Sequence, residues 1–241
     1  MKAGTFIAIT LLSGAIAGAI LGTINQAIVE PYIDAAIDIE NQNAVASGEI
    51  FDPTDYATYR IWQKSGGIAA GAVLGMSIGA LFGVVFAYSR PSIPGSSNKK
   101  KAIILAGIMG AVLFIIPALK YPANPPAVGD PDTIYYRQTL YVAFLAISGF
   151  SALGLAMLYR KMGARQAKRV LVPGVYAAIM VSAFVLMPPN PDEVTAPMDL
   201  VTGFRIASAV TMVTFWGVLG LIFGAFWDRL KPHEAAKVNT V

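Results

Sequence analysis

Residues Ser65–Ser89 read SGGIAAGAVLGMSIGALFGVVFAYS: 25 residues without one charge. A bilayer core about 30 Å thick needs roughly 20 apolar residues in a helix. Lipid offers exposed backbone no hydrogen-bond partner, so this stretch is expected to be a transmembrane helix. Within it Gly67, Gly71, Gly75, Gly79 and Gly83 recur every four residues, which sets them on one face. Gly14, Gly18 and Gly22 repeat that spacing upstream, and Gly217, Gly220 and Gly224 form a similar set downstream. Between lipid-embedded helices, close backbone contact replaces the hydrophobic drive, so these stripes predict tight helix–helix seams. Their spacing leaves open whether the partner helix lies in this chain or in another copy.

Five more charge-free stretches flank this one: Thr5–Val29, Ala102–Leu119, Gln138–Tyr159, Val170–Met187 and Ile206–Trp227. The first is too long for a signal peptide and no small-residue cleavage site ends it, so it is expected to be the first span. Composition agrees. Of 241 residues, 56% are hydrophobic and 13% charged, against about 25% charged in soluble domains. Mean hydropathy is +0.60. The fold expected is an all-α integral membrane protein, a single six-helix transmembrane domain over residues 1–241.

Charge sets the orientation. The termini and the loops on their side hold 13 of the 18 basic residues, among them Arg90, Lys99, Lys100, Lys101, Arg160, Lys161 and Arg229, but only two of the 14 acids. The opposite side has the other 12 acids and only Arg60, Lys64, Lys120, Arg137 and Arg205. Positive loops stay inside, so both termini are expected in the cytoplasm of a cell-membrane protein. The basic loops then read as topology signals and anionic-lipid contacts, not as a nucleic-acid face.

The three acidic-side loops resemble one another. The first reads Asp52-Pro53-Thr54-Asp55 and then Tyr59-Arg60; the second Asp130-Pro131-Asp132 and then Tyr136-Arg137; the third Pro191-Asp192-Glu193, later Asp199, then Phe204-Arg205. Pro31, Pro122 and Pro188 follow the odd-numbered spans. This suggests three repeated helical hairpins, unless it reflects only the frequency of Pro and Asp in membrane loops. Each arginine sits where an even span meets the interface. Asp55, Asp132 and Asp199 lie five or six residues upstream as expected ion-pair partners, with a braced vestibule as the sharper alternative.

Much chemistry is excluded. The chain has no cysteine and one histidine, His233. That rules out a disulfide scaffold, a thiol nucleophile and, within one chain, a multi-histidine metal site. It has no GxxxxGK[ST] phosphate loop, no HExxH and no GxSxG. The spans hold no Asp, Glu, Lys or Arg, so a buried carboxylate relay is absent and enzymatic activity is not expected. Six methionines fall in spans, Met76, Met109, Met157, Met180, Met187 and Met212. Scattered in this way, they read as packing rather than as soft-metal ligands. The notable polar group is Asn25-Gln26, followed by Glu30-Pro31, at the end of span one. Its oxygen atoms suit hard or borderline divalent ions, or else inter-helix hydrogen bonds. The acidic face would concentrate cations, and an inside-negative potential draws a divalent ion inward by about 4.6 kcal/mol per 100 mV.

A more specific string follows span three. Pro117-Ala118-Leu119-Lys120-Tyr121-Pro122-Ala123-Asn124-Pro125-Pro126-Ala127-Val128-Gly129-Asp130-Pro131, with Arg137 beyond, resembles the signature loop of the CbtA family of predicted cobalt transporter subunits. Gln26, Val29, Pro31, Ile33 and Glu40 resemble that family's opening helix; Phe51–Asp55 with Arg60, and Phe204-Arg205, resemble its second and last span starts. The resemblance implies cobalt import beside a small single-span, histidine-bearing membrane partner. Many relatives carry histidines in the first loop, whereas Asn41–Glu49 has none, and an acid expected at position 37 is Ile37. A bound metal would therefore use carboxylates, amides and backbone carbonyls, or ligands from a partner. The Asn124-Pro125-Pro126 turn has few N–H donors and a fixed shape. It could present carbonyl oxygens or act only as a rigid cap.

The reading is a subunit of a divalent metal (cobalt-type) importer, with Gln26 and Glu30 as ligands for the incoming ion. Tyr121, Pro122, Asn124, Pro125, Pro126, Gly129, Asp130 and Arg137 are expected to shape the acidic-side loop, with Arg60 and Arg205 at the interface. No permanent cofactor is expected, only cobalt in transit, and the partners are lipid and a homo-oligomer or small single-span subunit. The alternative is a non-transporting accessory subunit of a larger membrane complex.

Overall fold

The computed structural model describes residues 2–48, 53–126, 128–162 and 168–234. Phe51, Asp52, Ala127, Arg165 and Lys237, and the side chains of Pro53, Asp55 and Lys168, lie outside the described residues. The described chain is helical, without strands: α1 (Ala3–Ile28), α2 (Glu30–Ala46), α3 (Pro53–Ser89), α4 (Asn98–Gly110), α5 (Ile116–Lys120), α6 (Ile134–Lys161), α7 (Lys168–Leu186) and α8 (Met198–Leu230). A π-helical turn, Ala111–Ile115, joins α4 to α5. Among the described residues six helical runs are long and apolar enough to cross a membrane, and the six expected spans fall on them one for one.

The chain divides into two compact units, residues 1–109 with 206–241, and residues 110–205. In the first, α1 and α3 run antiparallel with their glycine faces together. A Cβ on Gly79 would lie 2.6 Å from the Thr10 carbonyl oxygen, and one on Gly71 would lie 2.6 Å from that of Gly18. Gly14 and Gly18 meet Gly75 and Gly71 more closely still. The stripes of spans one and two therefore find their partner within the chain. Gly220 and Gly224 pack on α4, against Ala106 and Lys99, while Gly217 faces open space. At the basic end Phe82, Phe86, Phe223 and Trp227 are buried, with ring centroids 4.9–5.5 Å apart in four pairs. There α4 opens with Lys99, Lys100 and Lys101, a poor start because a helix N-terminus is already positive. Asp228 compensates by accepting the backbone N–H groups of Asn98 (3.1 Å) and Lys99 (3.0 Å).

The second unit packs α5, α6 and α7 around Tyr121, Leu140, Phe144 and Met180. Its π-turn has a local cause. Ile116 gives its N–H to the Ala111 carbonyl, five residues back. Pro117 has no N–H to give. The Val112 carbonyl thus loses both helical donors. The Ser148 hydroxyl replaces them at 2.5 Å, and Tyr176 donates in turn to Ser148 at 2.7 Å.

One element was not expected. Pro31 reads as the end of span one, yet α2 starts at Glu30 directly behind Val29. A proline is tolerated in a helix's first turn, where its N–H would have no partner anyway. The proline thus bends the chain without ending helicity.

Candidate functional site

The bend at Val29 lets α2 lean its first turns over the acidic end of α3. Glu30 and Asp34 are four apart, on one face of α2; Arg60 and Lys64 are four apart on α3. The two pairs interlock. Arg60 Nη2 lies 2.6 Å from Glu30 Oε2 and 2.5 Å from Asp34 Oδ1, and Lys64 Nζ is 2.7 Å from Asp34 Oδ2. Arg60 also donates to Gln63. Gln26, one turn before Glu30, donates its amide N–H to the Lys64 carbonyl at 2.9 Å. That leaves the Gln26 side-chain oxygen available as an acceptor. The Arg60 side chain is only 7% exposed and that of Glu30 15%. Burial alone pushes the Asp34 carboxyl up, but the hydrogen bonds and charges of Lys64 and Arg60 outweigh it and hold it below the usual carboxylate range. Tyr59 and Trp62, more than half exposed beside this cluster, suit the aromatic belt of a membrane boundary.

Of the expected metal ligands, both Gln26 and Glu30 lie in this cluster. Asp34 was not anticipated. Its signal was present in the matched four-residue spacings of Glu30/Asp34 and Arg60/Lys64, which face each other once α1 and α3 are known to be antiparallel. Among the described residues no group of three or more His, Asp or Glu side chains could hold a metal ion. An ion here would meet two carboxylates and neutral oxygens.

The remaining site residues fall in the second unit. Arg137 pairs not with Asp132 but with Asp192, at 2.9 Å. Asp192 Oδ2 also accepts from the Asp130 backbone N–H (2.9 Å) and the Thr133 hydroxyl (2.6 Å). Gly129 has φ +95°, and a Cβ there would sit 2.5 Å from that same oxygen. Asp130 shapes the turn by accepting the Asp132 N–H at 2.9 Å. Arg205 bonds not to Asp199 but to Asn124 Oδ1 (2.6 Å) and the Ala123 carbonyl (3.2 Å). The arginine of each of these two hairpins therefore holds the other hairpin's loop. Tyr121 is buried, donating to the Pro188 carbonyl at 2.6 Å; Pro125 is buried, and Pro122 and Pro126 are half-buried. In place of the expected arginine–aspartate contacts, long-range contacts close the loops, because residues five or six apart do not share a helix face as residues three or four apart do.

Among the described residues, six helices long and apolar enough to cross a membrane define a multi-pass membrane protein. The chain belongs to the CbtA family, described as a probable cobalt transporter subunit, whose model matches residues 3–228. No curated protein and no solved structure matches it.

Proposed function

We propose that this chain is a subunit of a divalent metal importer of the cytoplasmic membrane, with cobalt as cargo and both termini inside. The observation that carries the reading is the convergence of Glu30 and Asp34 on one nearly buried guanidinium at the acidic end of the first unit. Two carboxylates supply charge −2, which Arg60 and Lys64 now balance. An incoming divalent ion brings the same charge as those two side chains together. It would take Glu30, Asp34 and the Gln26 amide oxygen in their place. All-oxygen ligation binds a borderline ion weakly, as release requires. The acidic loops supply ions to the cluster, and the loop held by Arg137, Asp130 and Gly129 has a structural role rather than that of a ligand. Catalysis is no part of the role, and a second copy or a small single-span subunit completes the complex.

One observation favours the rival reading of a non-transporting accessory subunit. The α1–α3 seam is backbone against backbone and leaves no route between those two helices. The test is radiolabelled cobalt uptake into proteoliposomes under an inside-negative potential. An importer takes up label above empty vesicles and loses most of it with Glu30→Gln or Asp34→Asn. Folded, correctly oriented protein without uptake supports the accessory role.

A further inference from the structure

Five buried side-chain polar atoms have no hydrogen-bond partner among the described residues: Ser13 Oγ, Asn25 Oδ1, Arg60 Nε, Trp216 Nε1 and Trp227 Nε1. In native proteins such atoms are few, and each calls for an explanation. All five lie in the first unit, on α1, α3 and α8. Among the described residues the second unit has no such atom, and its Ser148 and Tyr176 hydroxyls are paired.

Their heights form a series. The Phe6 and Trp227 rings touch at 6.0 Å, and the Lys2 backbone N–H donates to the Pro232 carbonyl at 2.8 Å, which sets α1 antiparallel to α8 and level at the basic end. At 1.5 Å per residue, Ser13 stands about 10 Å above that level, Trp216 about 16 Å and Asn25 about 28 Å. The unpartnered atoms thus recur across a distance close to the thickness of a hydrocarbon core. Ser13 is 0% exposed, Trp227 1%, Trp216 5% and Arg60 6%.

Their chemistry selects the occupant. Two indole N–H groups and the Arg60 Nε–H are donors, Asn25 Oδ1 is an acceptor and the Ser13 hydroxyl is both. A dehydrated cation satisfies acceptors only and is repelled by N–H groups. Water satisfies both kinds.

We propose that the first unit is hydrated along α1 and α8, by a line of water molecules running from the Arg60 cluster at the acidic end to Trp227 at the basic end. An ion using this line keeps part of its hydration shell, and the line passes beside the glycine seam rather than through it.

The chain is free of cysteine, so single thiols can be placed without removing any. The full-length protein in lipid vesicles, carrying Ser13→Cys or Asn25→Cys, is treated with a small water-soluble methanethiosulfonate. The thiolate is the reactive form, and it requires water. Ser148→Cys is the buried comparison and Tyr135→Cys, at an 80% exposed position, is the positive control. Both test thiols are expected to react roughly tenfold or more faster than Ser148→Cys. Equal, slow reaction of all three while Tyr135→Cys labels fully overturns the proposal. Unsubstituted protein gives a second readout should a variant fail to fold. The indole N–H groups of Trp216 and Trp227 are expected to exchange into heavy water within minutes, with exposed Trp62 as the reference, and protection for many hours overturns the proposal. Neither measurement involves metal, so labelling without cobalt uptake sinks the importer and leaves the hydration standing.

Discussion

Asp34 is the residue on which the charged cluster turns, because it alone accepts from both basic side chains. Its carboxyl is held below its ordinary 3.8, so its stabilisation is complete above that pH and is lost as pH falls through the depressed value. Cobalt uptake should therefore show no Asp34-dependent change between pH 5 and 8, and thermal stability should fall only in stronger acid. A scan of both against pH checks this. Arg60→Ala should cost about 3 kcal/mol, since it strands the largely buried Glu30 carboxylate while Asp34 keeps Lys64; Lys64→Ala should cost far less, because Lys64 is partly exposed. Denaturation midpoints of the two variants give the comparison. Sequence made Gln26 and Glu30 visible by their place at the end of an apolar run. It hid Asp34, whose partners lie 26 and 30 residues away. The same gap explains Arg137 and Arg205: charge alone announced a partner, but the partner's identity depended on how two hairpins meet.

At the scale of the element, the glycine periodicity was legible and so was its consequence, a tight seam. Whether the seam lay within the chain was not, because four-residue spacing carries no address. Gly75→Leu should separate α1 from α3 at a cost of about 3 kcal/mol or more, read as loss of folded protein on extraction, because the obstruction is backbone and cannot move aside. Gly217→Leu should be nearly silent, as nothing lies within 4 Å of that position. The α2 helix was missed for an equally physical reason. Proline marks a bend in any membrane loop, and only its first-turn position distinguishes a restart from an end. In the acidic-side loop of the second unit, Gly129→Ala should loosen the Arg137–Asp192 contact, through both its φ of +95° and the crowded carboxylate. Proteolysis of that loop in intact vesicles reports it.

For the molecule as a whole, the span count followed from composition because the bilayer fixes helix length. Orientation rests on the asymmetry of basic residues and can be measured directly. Impermeant maleimide added to intact cells should label Asp132→Cys and leave Ser97→Cys unlabelled until the membrane is opened. The reverse pattern would invert the topology and place the Glu30 cluster on the cytoplasmic face, where it could not receive an ion arriving from outside.

The π-turn beside Pro117 bears on how this sequence could have been reached. A proline arriving in an unbroken helix would have left the Val112 carbonyl bare inside the bilayer. The Ser148 hydroxyl removes that penalty. Selection therefore favours a path in which the serine, harmless beforehand, precedes the proline, after which the serine is not freely lost. Ser148→Ala should lower stability by about 1 kcal/mol in the present background. It should be almost neutral once Pro117→Ala has restored the missing donor. The two positions are thus expected to share a history, although 31 residues separate them in the chain.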